Sequence, residues 1–172
     1  MKLSVNKEQI IEGLQKAAAI IPAKAGAAYL RSIWLKAEKG SLSIMATDAN
    51  IEFTGRYPAE VKQPGLIGVQ GRAFVDLVRQ LPAGVLQLTL DESTGNLLLE
   101  QGRRTYKLPV SGAEWFQNFS EFPAESPVTW SGDFLQDVLD RVVFCISDDD
   151  ATDAITCLYM KPCGNGRIDV CG

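Results

Sequence analysis

The residues able to do chemistry in this chain are few, and they gather in two places. The run "SDDDATD" brings together Asp148, Asp149, Asp150 and Asp153, a carboxylate cluster whose charge suits Mg²⁺. Nothing else joins it: the chain has no histidine, no glycine-rich phosphate loop and no nucleophile spaced to a base. A solvated acidic loop is therefore expected, and the chain reads as a non-enzyme without metal or cofactor. Four cysteines, Cys145, Cys157, Cys163 and Cys171, all fall near the C-terminal end with no CxxC pair, against both a zinc site and a disulfide scaffold. Cys157 and Cys171 sit in apolar, strand-like runs and are expected as reduced, buried thiols.

The second place is "QGRAFVDLVRQL", residues 70–81. At about 100° per residue, Phe74, Leu77, Val78 and Leu81 form one apolar stripe, and Arg72 and Arg79 lie together on the opposite face. Asp76, between them, can pair with either for a few tenths of a kcal/mol. Such a basic pair is either an ordinary solvated face or a surface that meets a polyanion.

The elements that must position these groups follow from the rest of the chain. Its 172 residues are 46% apolar and 22% charged, enough for one domain or a little more. No stretch approaches the roughly 18–20 apolar residues of a membrane span, and "MKLSVNKEQII" has no leader pattern, so the cytoplasm is the expected compartment. The net charge of -4 divides unevenly: residues 1–110 carry 14 basic against 10 acidic side chains, and residues 111–172 carry 3 against 11.

The first 110 residues read as one pattern written twice. "KLSV" is a strand, and Asn6 with Gln9 is a capping pair for a helix with apolar positions Ile10, Leu14, Ala17, Ala18 and Ile21, stopped by Pro22. Strands follow at 29–37, 41–47 and 50–57. "LIGVQ", the helix at 71–81 and strands at 85–90, 96–100 and 103–109 make the second copy, with "DESTGN" as a hairpin turn. The pattern implies an α+β domain of two βαβββ units, its helices side by side on antiparallel sheets.

After "EWFQNFSEFPAESP" the N-terminal pattern returns 125 residues on, pairing Ile10 with Leu135, Leu14 with Leu139, Lys16 with Arg141 and Ile21 with Ile146. "IWLKA" then meets "LYMKP" and, after one inserted residue, "GSLSIMA" meets "GRIDVCG". The expected organisation is a complete domain at 1–122 and the first part of a second, similar one at 123–172. A helix at 131–146 with so little chain around it cannot bury its stripe alone and must borrow a surface.

The ordered set "GSLSIMATDANIEF", "VQGRAFVDLVRQLP", "QGRRTYKLPV" and "AEWFQNF", on the doubled βαβββ unit, resembles the β subunit of bacterial DNA polymerase III, the replicative sliding clamp. That resemblance implies the DNA-clamp fold and a three-domain subunit pairing into a homodimeric ring. It implies a ring that encircles duplex DNA without sequence readout, tethers the polymerase, and binds polymerase and clamp loader through short peptide motifs. Arg72 matches a DNA-contacting arginine of the family and Lys24, in "PAKAGAAY", a basic DNA-contacting position; Arg79 and Lys16 are weaker extensions of the same idea. The strand carrying Arg103, Tyr106 and Leu108 matches the subunit interface, as an edge whose exposed apolar pair wants a partner. Ile155 matches a position in the partner-peptide groove.

The sequence also departs from the family. "AAYLRS" replaces a proline-containing turn, Gln117 stands where a proline is expected, and the aspartates of "SDDDATD" would repel phosphates at a loop that elsewhere contacts DNA. A chain of this extent is expected not to close a ring. The alternative is a diverged clamp-like interaction module that does not encircle DNA.

Overall fold

A computed structural model describes residues 1–22, 27–119, 129–147 and 153–172. The chain divides into two compact units, Met1–Glu121 and Phe122–Gly172.

Unit 1 opens with strand β1 (Lys2–Asn6) and helix α1 (Lys7–Ile20). The Asn6 side chain caps the helix, accepting from the Glu8 amide at 3.4 Å. The capping pair with Gln9 does not form. Glu8 turns away instead, its carboxylate accepting from the Gly84 amide at 3.3 Å. A single 3₁₀ turn at Ala28–Arg31 precedes β2 (Ser32–Glu38), so this strand begins later than its apolar run suggested. Next come β3 (Ser41–Thr47), β4 (Glu52–Pro58) and β5 (Glu60–Gln63). The short "EVKQ" of β5, with one apolar residue, carries no alternation long enough to announce a strand, and only its pairing with β1 makes it one. The second half is β6 (Gly65–Gln70), α2 (Gly71–Gln80), β7 (Val85–Asp91), β8 (Asn96–Gln101) and β9 (Arg104–Ser111).

The nine strands run in the order β4-β3-β2-β6-β9-β8-β7-β1-β5. Each half therefore lends its first strand to the other. β6 lies antiparallel to β2, with Trp34 opposite Gly68, and β1 lies antiparallel to β7, with Leu3 opposite Leu88. The helices pack against each other and against one sheet face. Ile10, Leu14 and Ala17 of α1, and Phe74, Val78 and Leu81 of the second half, are buried with Leu35, Ile44, Leu86 and Leu99. Full burial of one such aliphatic side chain contributes roughly 1.5–3 kcal/mol.

Two glycines mark where the packing is closest. At Gly13, inside α1, a Cβ would collide with the ring of Tyr57, which also covers Gly55 of its own strand, β4. On the other sheet face, Trp34 is 1% exposed and would meet a Cβ on Gly68 at 3.1 Å. Phe116, from "AEWFQNF", closes over that indole edge-on with centroids 5.2 Å apart. Trp34 Nε1 donates to the Tyr29 carbonyl at 3.3 Å. In the "DESTGN" turn the Asp91 carboxylate accepts from the Ser93 and Thr94 hydroxyls at 2.6 and 2.7 Å, bonds that hold its pKa below the usual carboxylate value.

Unit 2 holds α3 (Gly132–Val142), a 3₁₀ turn at Val143–Cys145, a second at Asp153–Thr156, and a hairpin of β10 (Tyr159–Gly164) and β11 (Arg167–Cys171). Ser131 caps α3 from the Phe134 amide at 3.2 Å, as Asn6 caps α1 at the matching place of the repeat. The hairpins repeat as well. Tyr159 faces Cys171 as Trp34 faces Met45, and Lys161 faces Asp169 as Lys36 faces Ser43. The inserted residue is absorbed in the turn, where the register shifts between Pro162 and Gly164.

Burial separates the units. No residue of α3 is buried, and all four cysteines are exposed, so the expectation of buried thiols at Cys157 and Cys171 is corrected. Cys157 lies in a bend and not in a strand, and Cys171 takes the outer, exposed face of β11. The Cys163 thiol donates to the Asp169 carboxylate at 2.9 Å, and that bond pushes its pKa above the usual thiol value.

Two outcomes follow from this packing. Alanine exceeds glycine in a helix interior by about 1 kcal/mol, yet Gly13→Ala should lower the urea midpoint of unfolding, because the Tyr57 ring occupies the place of the new methyl. A raised thiol pKa means less thiolate near pH 8, so iodoacetamide should modify Cys163 faster in Asp169→Asn than in the parent chain, as peptide mass spectrometry would show.

Candidate nucleic-acid interface

The helix pair offers a face turned away from the sheet. Between α1 and α2 runs a groove of about 410 Å³ lined by Gln15, Ala18, Ala19, Arg72, Val75, Asp76 and Arg79. The alanines keep α1 low there, and the apolar stripe of α2 is committed to the core, which leaves Arg72, Asp76 and Arg79 outward. Glycine begins α2 because a Cβ at Gly71 would run into the side chains of Ile21 and Ile33.

Charge on this face is sorted by pairing. Lys16 binds Glu12 at 2.7 Å, a bond that raises the lysine pKa and lowers that of the glutamate, so Lys16 is locally compensated. Asp76 pairs with Arg79 at 4.0 Å, at the limit of an ion pair, and not with Arg72. Both pairs are largely exposed and stabilise little. Among the described residues Arg72 has neither an ion pair nor a hydrogen bond. It stands in the first turn of α2, where the helix dipole adds partial positive charge. Lys24 lies outside the described residues, as do Asp148, Asp149 and Asp150.

Lys7 is a cation that pattern reading left unassigned. Its ammonium donates to the carbonyls of Arg79, at 3.1 Å, and Leu81, and its backbone amide donates to the Gly84 carbonyl at 3.0 Å. It thereby closes the carbonyl end of α2 from the start of α1 and fixes where that end lies. Its only sequence signal is a basic residue at a helix start, where the dipole disfavours one.

The expected subunit-interface strand is placed differently from its reading as an exposed apolar edge. Leu108 belongs to the core at 9% exposure and Tyr106 packs half-buried against it. Arg103 sits in the turn before β9, beside Gly102, whose φ is 60°. β9 pairs with β8 from Arg104 to Pro109, and with β6 only through Val110 and Ser111. Over Arg104–Leu108 its other edge is open among the described residues, and its outward side chains are polar, Thr105 and Lys107. Ile155, in unit 2, is 51% exposed, and its carbonyl accepts from the Ser147 amide at 2.9 Å. Among the described residues no group of His, Cys, Asp or Glu side chains is arranged to hold a metal, and no helix is long and apolar enough to cross a membrane.

The chain is 26% identical over 167 residues to the beta sliding clamp of Caulobacter vibrioides, a match covering 96% of this chain and 45% of that protein. It is 27% identical to the beta sliding clamp of Streptomyces coelicolor over 157 residues, 91% of this chain and 41% of the relative. Among solved structures, a C. crescentus beta sliding clamp superposes with a TM-score of 0.88 at 26% identity, covering 99% of this chain and 46% of that one. The chain thus spans less than half the length of these relatives. Residues 1–120 match the family described as DNA polymerase III beta subunit, N-terminal domain, and the chain belongs to that family.

Proposed function

We propose that this chain is part of a sliding-clamp subunit, a non-catalytic cytoplasmic protein that encircles duplex DNA and keeps the replicative polymerase on it. The observation that carries the reading is Arg72, a guanidinium without an ion pair among the described residues, on a helix pair held by a packed core. A sliding protein must hold phosphates without reading sequence, a task that suits a positioned guanidinium. Lys24, Arg79 and Lys16 are secondary contacts in the same reading, and their ion pairs with Asp76 and Glu12 put Arg79 and Lys16 below Arg72 in weight.

The open length of β9 is assigned to the subunit contact. There Arg103 and the backbone edge make the joint while Tyr106 and Leu108 stiffen the strand from beneath. Exposed Ile155 is assigned to a groove for short peptide motifs of the polymerase and clamp loader. A second reading, an interaction module that does not encircle DNA, draws on the acidic balance of unit 2.

The test is duplex binding by fluorescence anisotropy as salt is raised. Arg72→Ala should weaken binding equally on two unrelated sequences and reduce the slope of log K against log salt by about 1. An unchanged slope, or a loss confined to one sequence, would overturn the assignment. To separate the two readings, a subunit of the relatives' full length bearing this chain would be loaded on a nicked circle. It should stay bound until the circle is cut and then run off the ends, whereas an interaction module would show no such dependence on topology.

A further inference from the structure

The two halves of unit 1 run in step from their first strands into their helices. Lys7 opens α1 as Gly71 opens α2, and Ile10 and Leu14 are buried as Phe74 and Val78 are. At the sixth place of each helix stands an acid, Glu12 in α1 and Asp76 in α2. The helix of unit 2 repeats it, with Asp137 at the sixth place of α3. In every case the carboxylate holds a cation about one turn further on. Glu12 holds Lys16 at 2.7 Å, Asp76 holds Arg79 at 4.0 Å and Asp137 holds Arg141 at 3.1 Å. The paired acid and base are thus a property of the repeated unit, and burial does not impose them, since all six side chains are at least 60% exposed.

In unit 1 both pairs stand where phosphates would pass. Asp76 and Arg79 line the groove between the helices. At about 100° per residue, Glu12 and Lys16 share the outward side of α1 with Gln15 and Ala19, which line it as well. Exposed pairs of this kind stabilise little, so a cation can leave its carboxylate for another anion and return to it at small cost.

We propose that Glu12 and Asp76 set the strength of the grip on duplex DNA, each competing with phosphate for the cation one turn on. The inference rests on the clamp reading above. Arg72, without an ion pair among the described residues, supplies the standing contact, and Lys16 and Arg79 supply contacts that are readily given up. A protein that slides must release each phosphate as it takes the next, and a carboxylate within the same helix receives the cation at that moment.

Fluorescence anisotropy of the 172-residue chain on duplex DNA, between about 50 and 200 mM salt, reads the competition. Glu12→Gln and Asp76→Asn should each tighten binding and steepen the fall of log K with log salt by about 1, so that the gain at the low-salt end exceeds that at the high-salt end by about 3- to 4-fold. Glu38→Gln is the control. It breaks a comparable pair, with Lys36 at 2.6 Å, on the sheet face that carries Trp34, and should leave binding unchanged. Carboxylates that serve only their helices would lower the midpoint of thermal unfolding and leave affinity and slope where they were; that result overturns the proposal, as does an equal gain from Glu38→Gln. Arg72→Ala in the same assay separates the levels of the account. If it lowers the slope while Glu12→Gln and Asp76→Asn change nothing, the competition alone is wrong; if it too changes nothing, the clamp reading fails and the proposal with it.

Discussion

The structure of unit 1 depends on a reciprocal exchange of strands. β1 is hydrogen-bonded into the sheet of the second half and β6 into that of the first, so neither half has a complete sheet without the other. Everything on the helix face follows from that closure. With the halves locked, α1 and α2 can direct Ile10, Leu14, Phe74 and Val78 into one core and keep their opposite faces free. Lys7 adds a polar tie between the start of α1 and the end of α2, and Tyr57 over Gly13 fixes α1 on β4. The result is a stiff platform on which Arg72, without an ion pair among the described residues, is displayed at little cost. Under the proposed function such a surface would meet phosphates through charge and position and not through shape fitted to particular bases.

Unit 2 repeats part of the same design. Its cap, helix and hairpin repeat those of unit 1, which are set locally by Ser131, by the apolar spacing of α3 and by the turn at Asn165–Gly166. Local contacts also hold two of its carboxylates, Asp137 by Arg141 at 3.1 Å in α3 and Asp169 by the Cys163 thiol in the hairpin.

Much of this was legible in the residues. The doubled unit, both helices of unit 1, the opposite faces of Arg72 and Phe74, and the repeat at 125 residues all rest on periodicity, which reports one-sided burial directly. β5 escaped because three polar residues around a single valine acquire strand geometry only from a partner distant in sequence. The burial of Leu108 was read wrongly because alternation shows that Tyr106 and Leu108 share a face without saying whether it turns to the core or to solvent. The charge hierarchy of the helix face was half visible: spacing allowed Asp76 to pair with either arginine, and side-chain geometry chose Arg79. Lys7 escaped because its role is to close the end of a helix far away in sequence, and the exposed thiols because an apolar run does not show that Cys157 falls in a bend or which face of β11 Cys171 takes.

The most direct test of the closure is native-state amide hydrogen exchange of unit 1, residue by residue, across a urea series. If the strand exchange is the governing constraint, amides of β1 and β6 open only with global unfolding, sharing the free energy and urea dependence of β2 and β7. Exchange of β1 through a cheaper opening that leaves β7 and β8 protected would contradict the account.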